Sequence, residues 1–286
     1  MKVKLLTSLQ EIATKTGGNV ILIGVTHLDL DVLPKLYELL GSMEFLPRLD
    51  VILYTRGGDV NATRRIALLL REYCTELHIH APYYCQSSGT LLCMSADNIY
   101  FSVMSMFSAI DPHLHGSMDD SNATALSSAD IKHFSQMSED WFNCYESANK
   151  EMLAMLCQSI FPPTLTAFYR TVKEAQQIAH EMLSLSHSLG MQEKQKIIDK
   201  LMFGYFSHEY CITGEEMNKL GLNFIRDREL SDITWDIAND LSNVVGGGNR
   251  NSLDDPWCDG ILSNSFLIYQ REKSHHSLKP KWCTLK

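Results

Sequence analysis

The chain has 286 residues, 45% of them hydrophobic, and a formal net charge of -9 at neutral pH. That length admits one large domain or two small ones around a substantial core, and the acidic balance excludes a general nucleic-acid binder, which needs clustered Lys and Arg. The longest apolar runs, residues 20–25 and 66–70, fall far short of the roughly 20 residues that span a bilayer, and Gln10 and Glu11 interrupt any apolar leader, so a cytoplasmic protein without membrane contact is expected.

Residues 20–25 form a largely β-branched strand signal, and residues 27–40 follow with Leu33, Leu36, Leu39 and Leu40 at helical spacing. Residues 49–54 repeat the strand signal through Val51, Ile52 and Leu53. The Gly57-Gly58 turn comes next, then a helix over 60–73 with Ile66, Leu69 and Leu70 inward and Asp59 or Asn61 as its cap. A strand at 77–81, a turn holding Ser87, a helix over 89–96 and a short strand at 99–101 complete the series. Strand, turn and helix recurring in this way predict parallel βαβ units, whose ligands sit beyond the carboxyl ends of the strands.

Residues 127–161 carry Ile131, Phe134, Met137, Trp141, Tyr145 and Ala148 at steps of three or four, and helices are also expected over 165–189 and 192–202. A short helix over 215–220 stops at Gly221, and a strand resumes at 223–225. The organisation expected is a domain over 1–240 with a helical insertion at about 127–202, then a flexible glycine-bearing linker and tail over 241–286. The loosely basic residues from Arg271 onward are expected to be a solvated end. Eight scattered cysteines without a C-x-x-C pair fit reduced thiols, and the histidines lack metal-ligand spacing. No cofactor or metal is expected.

Two segments carry the chemistry: Thr55-Arg56-Gly57-Gly58-Asp59 after one strand, and Gln86-Ser87-Ser88-Gly89-Thr90 before a helix. Paired glycines after a strand let backbone N–H groups face a developing oxyanion, and Ser-x-Gly at a helix start presents a hydroxyl beside them. The expected oxyanion hole is therefore Gly57, Gly58 and Ser88, with Ser87 the nucleophile and Ser88 the second choice. Standing alone, Ser-x-Gly reads equally as a helix cap.

Four ordered elements sharpen this reading. Besides the two segments above, which continue into Ala96-Asp97-Asn98-Ile99, they are Ile110-Asp111-Pro112-His113 and His208-Glu209-Tyr210-Cys211-Ile212-Thr213 followed by Glu216, Leu220, Gly221 and Leu222. Over roughly residues 20–225 the chain resembles the Clp protease/crotonase superfamily, most closely the serine dehydrogenase proteinase family, relatives of signal peptide peptidase A. The resemblance implies an α/β fold, a Clp protease/crotonase-like spiral of repeated βαβ units with an additional helical segment. It also implies a serine peptidase acting on extended or unfolded polypeptide, a homo-oligomer, and an unfoldase as a possible partner.

Alignment with Clp-type proteases suggests a Ser87, His113, Glu209 triad. The serine dehydrogenase proteinases carry Gln where this chain has His113, which leaves His208 as the competing base and Asp111 as a competing orienter. Arg56 stands where the family usually has proline, Ser108-Ala109 where it has Gly-Pro, and Glu209 where it has Asp. Two other readings stay open: a crotonase-type acyl-CoA hydratase or hydrolase, which needs the paired amides but no serine, and a non-catalytic scaffold subunit.

Overall fold

Four parallel strands form the centre, β1 (Asn19–Val25), β2 (Arg48–Tyr54) and β3 (Glu76–Ala81), which are buried on both faces, and β4 (Asn98–Phe101), which is fully buried on one. The structure is a computed structural model that describes residues 2–110, 128–142, 149–186, 189–247, 250, 252, 254–277 and 279–285. A two-residue strand, β5 (Phe224–Ile225), extends the parallel side beyond β4. On the other side β6 (Trp257–Asn264) pairs antiparallel with β1, and β7 (Ile268–Lys273) and β8 (Lys281–Thr284) follow, giving the order β5-β4-β3-β2-β1-β6-β7-β8.

Helices cover both faces because alternate strand positions point to opposite sides. On one face Ile21, Ile23, Val51, Leu53 and Ile79 pack under α2 (Val32–Gly41), α3 (Val60–Arg71), α4 (Ser88–Cys93), α7 (Pro162–Ser186) and α8 (Met191–Phe203). On the other, Val20, Leu22, Ile52 and Tyr54 meet α1 (Lys2–Thr16) and α10 (Arg228–Ser242). Leu5, Leu9 and Ile12 dock α1, each burial contributing about 1.5–3 kcal/mol. The remaining helices are α5 (Ser128–Phe142), α6 (Asn149–Ser159) and α9 (Gly214–Lys219). The α/β class, the repeated βα units and the additional helices between β4 and β5 are as the sequence led one to expect. Among the described residues no helix is long and apolar enough to cross a membrane.

The segment expected as linker and tail from 241 onward is different. Residues 257–284 supply three strands of the central sheet, and Arg271, expected in a solvated end, is completely buried. Asp259, Gly260, Ser263 and Asn264 weaken the strand signal of β6, yet their burial is compensated. Arg271 meets Asp259, and Asn264 Nδ2 donates to Leu39 O (3.3 Å) and Ser42 Oγ (2.9 Å). The glycine stretch also folds back, its Gly246 N–H bonded to Cys258 O at 2.9 Å.

Beyond the carboxyl ends of the parallel strands, single bridges link Leu28 to Gly58, Thr55 to Cys85, Tyr84 to Met106, and Phe107 to Ile212. This second ladder holds the loops from which the site is built.

Candidate active site

The turn after β2 is folded around two glycines that no other residue could replace without strain. Gly57 and Gly58 have φ of +127° and +146°, and a Cβ on Gly58 would stand 2.2 Å from Leu28 O. This close approach is fixed from both sides, with Leu28 N–H donating to Gly57 O (2.8 Å) and Asp59 N–H to Leu28 O (2.8 Å). Thr55 Oγ1 accepts from Gly57 N–H at 3.2 Å and donates to Gly57 O at 3.1 Å. Asp59 then caps α3 by accepting Ala62 N–H at 2.6 Å.

The serine turn lies against it. Gln86 O accepts Gly89 N–H at 2.8 Å, and Ser87 has φ 51° and ψ -114°, so residues 86–89 make a type II′ turn with Ser87 at the position usually taken by glycine. Ser87 is the one non-glycine residue of positive φ among the described residues. Holding a serine there costs about 1–3 kcal/mol, and the surroundings over-determine it: Ser87 N–H donates to Ser108 Oγ (2.8 Å), Ser87 O accepts Leu91 N–H (3.0 Å), and Gln86 N–H reaches Thr55 O (3.2 Å). A Cβ on Gly57 would meet Ser87 Cβ at 2.9 Å and Ser87 Oγ at 3.4 Å. The missing side chain of Gly57 is what admits the hydroxyl.

The two adjacent serines differ in commitment. Ser88 is buried and its hydroxyl donates to Gly58 O at 2.7 Å. Ser87 is half-buried, and among the described residues its hydroxyl has no hydrogen-bond partner. The amides of Gly58 and Ser88 likewise donate to no acceptor among the described residues.

Ser87, Ser88 and Gly58 line a cleft of about 750 Å³ whose walls include Arg56, Asp59, Ile110 and His208, with Thr171, Glu174 and Ala175 from α7. Arg56 is exposed, its guanidinium 4.2 Å from the Tyr84 ring centroid. His208, on the loop between α8 and α9, is half-buried in the wall. Its neighbour Glu209 is exposed and does not line the cleft. His113 and Asp111 lie outside the described residues.

Sequence reasoning passed over three groups on the same cleft, His27, Asp29 and Lys273. The first two follow β1 directly, so the carboxyl-end rule for parallel strands could have found them. Desolvation, and then Lys273 nearby, holds the His27 imidazole below its ordinary range. Lys273 pairs with Asp259 at 3.0 Å. Burial alone would push the Asp259 carboxyl up, but Arg271, Thr26 and Lys273 outweigh it and hold it low. Among the described residues no group of His, Cys, Asp and Glu side chains could hold a metal ion.

Residues 42–154 match the family model of the ClpP-like SDH-type serine proteinases. The resemblance read from the ordered motifs therefore holds, over a segment that includes the glycine turn, Ser87, Ser88 and His113. Two uncharacterized proteins of Methanocaldococcus jannaschii are also similar. One is 23% identical over 188 residues, 65% of this chain and 56% of that protein, and the other 24% identical over 229 residues, 75% and 71% respectively. The match thus spans little more than half the length of the first.

Among solved structures, an alanine mutant of the 1510-N membrane-bound stomatin-specific protease aligns with a TM-score of 0.41 and 15% identity, over 73% of this chain and 79% of that one. A ClpP1 mutant from Listeria monocytogenes aligns with a TM-score of 0.40 and 10% identity, over 80% and 97%.

Proposed function

We propose that this protein is a serine peptidase that cleaves extended polypeptide through an acyl-enzyme on Ser87. The observation that carries the reading is the strained turn that sets Ser87, whose hydroxyl has no hydrogen-bond partner among the described residues, in the wall of the cleft beside the glycine pair, while the neighbouring Ser88 hydroxyl is engaged. The serine-proteinase family match over the same turns supports it. In this reaction Ser87 Oγ attacks the scissile carbonyl carbon, the base takes the hydroxyl proton and passes it to the departing amine, and water later releases the acyl group. The amides of Gly58 and Ser88 are the proposed donors to the oxyanion.

His208 is the base to test first, because it lines the cleft; His113 is the alternative, with Glu209 or Asp111 as orienter. The substrate would lie as an added strand along the glycine turn. A homo-oligomer and an unfoldase partner belong to the same proposal and are tested separately, by mass measurement in solution and by pull-down.

A fluorophosphonate, whose P–F bond is replaced by a bond from phosphorus to serine Oγ, is the direct probe. Wild-type protein is expected to label, Ser87→Ala not at all, and Ser88→Ala still to label. His208→Ala should slow labelling by about 100-fold or more if it is the base. Folded wild-type protein that does not label overturns the proposal.

A further inference from the structure

One polar link joins the carboxyl-terminal strands to the glycine turn. Arg271, on β7, has no solvent exposure. Its Nη1 donates to both carboxylate oxygens of Asp29 (2.7 and 2.8 Å), and its Nη2 donates to His27 O (3.1 Å) and pairs with Asp259 Oδ2 (2.6 Å). Asp259 also anchors the next residue back, accepting Thr26 N–H through its carbonyl at 3.0 Å and the Thr26 hydroxyl through its carboxylate. Residues 26–29 are thus gripped by β6 and β7 on one side.

Their other side is the glycine turn itself. Arg56 N–H donates to Thr26 O (3.3 Å), Leu28 N–H to Gly57 O, and Asp59 N–H to Leu28 O. Gly58, Ser87 and Ser88 then share the cleft. Arg271 therefore acts on the turn through a single intervening segment, residues 26–29, and a guanidinium that spans two acceptors of that segment fixes its direction as well as its position. Asp29 and Arg271 fall outside the residues matched by the family model, so this support is supplied by parts of the chain beyond that segment.

We infer that Arg271 is a positioning residue that sets the Gly57-Gly58 turn against Ser87 by holding Asp29 and the His27 carbonyl. This rests on the peptidase reading for its consequence in catalysis, where a misplacement of about 1 Å can cost 100-fold in rate, and stands apart from it for its consequence in structure.

The test uses the full chain and two readouts. Asp29→Asn keeps the shape at the cleft rim and the Arg271–Asp259 pair, and Arg271→Lys keeps the charge without the fork. Each is expected to slow the maximal rate of Ser87 labelling by fluorophosphonate at least 10-fold, with the half-saturating probe concentration unchanged. Each should also speed amide hydrogen exchange at Leu28 and Asp59 by 10-fold or more. Ile237→Val, which loosens α10 on the opposite face, should leave both readouts at wild-type values.

If Arg271→Lys does not fold, Asp29→Asn decides alone. Wild-type labelling and wild-type protection of Leu28 and Asp59 in a folded Asp29→Asn protein overturn the inference. A wild-type protein that never labels overturns the peptidase reading, and faster exchange in Asp29→Asn then still supports positioning.

Discussion

On the sheet face that carries Ile52 and Tyr54, the fully buried Asp50 accepts Arg48 Nε and Nη2, each at 2.8 Å, and meets His80 Nε2 at 2.8 Å. On the opposite face Arg271 is equally buried among Asp29, Asp259 and the His27 carbonyl. Both clusters repay the desolvation of charge with short, charge-assisted hydrogen bonds. They differ in where they end. The Asp50 cluster closes on neighbouring strands, with His80 stacked on Tyr100 at 4.6 Å. The Arg271 cluster instead ends on the backbone that holds the glycine turn. A buried ion pair by itself marks neither stability nor function; what it grips decides.

The largest effect that separates the two is expected at Asp50. Burial pushes its carboxyl up, but Arg48 and His80 hold it well below the usual carboxylate range. Asp50→Ala leaves both partners without their acceptor and should cost about 3–5 kcal/mol in urea unfolding, while Ser87 in the folded fraction labels at the wild-type rate. Slower labelling per folded molecule would erase the contrast between the faces. A smaller effect is expected at Ser87, where backbone strain is stored on the cleft side. Ser87→Gly should raise stability by about 1 kcal/mol, the relieved strain less the entropy of the new glycine, whereas Ser87→Ala keeps the strained φ and gains nothing. A Gly variant no more stable than the Ala variant would show that the turn holds no such strain.

How far the sequence reveals these faces depends on what makes each element. The strand at 20–25 is legible as a continuous apolar run and that at 49–54 as one broken only by Asp50, the strand at 77–81 is legible through Leu77, Ile79 and Ala81 at alternate positions, and the glycine pair and Ser-x-Gly are legible because their backbone demands are local. The strands β6 and β7 are not, because Asp259 and Arg271 stand at buried positions where each meets the opposite charge of the other across 12 residues of chain. Pattern reading assigns such charges to solvent, and here it made a tail of a cleft wall. The helices α1 and α10 escaped for a milder reason: Leu5, Leu9 and Ile12, or Ile237 and Leu241, make a narrow stripe whose meaning depends on the sheet they cover. The sequence offers Ser87 as nucleophile with Ser88 as second choice, and both line the cleft; the difference between them lies in one hydrogen bond, to Gly58 O, that only the fold supplies.

The smallest effect expected is one of pH, and on each face it separates a lowered histidine, His78 or His27, from a lowered carboxylate, Asp50 or Asp259, by titration window. His78 lies on β3 beside the Asp50 cluster, 3.5 Å from Glu76 and 3.3 Å from Asn98. Burial first, and Arg48 second, push its imidazole below the ordinary range against the opposing pull of Asp50 and Glu76. A histidine whose folded pKa is lowered is neutral in the native state, so below about pH 6.5 the unfolded chain takes up a proton that the folded one refuses. Its contribution is full above that pH and declines as pH falls toward the lowered folded value. The carboxylates of Asp50 and Asp259, also lowered, contribute above about pH 4 and lose that contribution only below it. Unfolding free energies measured between pH 7.5 and 5 should therefore fall less in His78→Gln than in wild type, while the acid limb below pH 4 stays the same in both. Equal slopes for both proteins between pH 7.5 and 5 would mean that His78 is protonated as readily in the fold as outside it, and that the back face carries no histidine titration of its own.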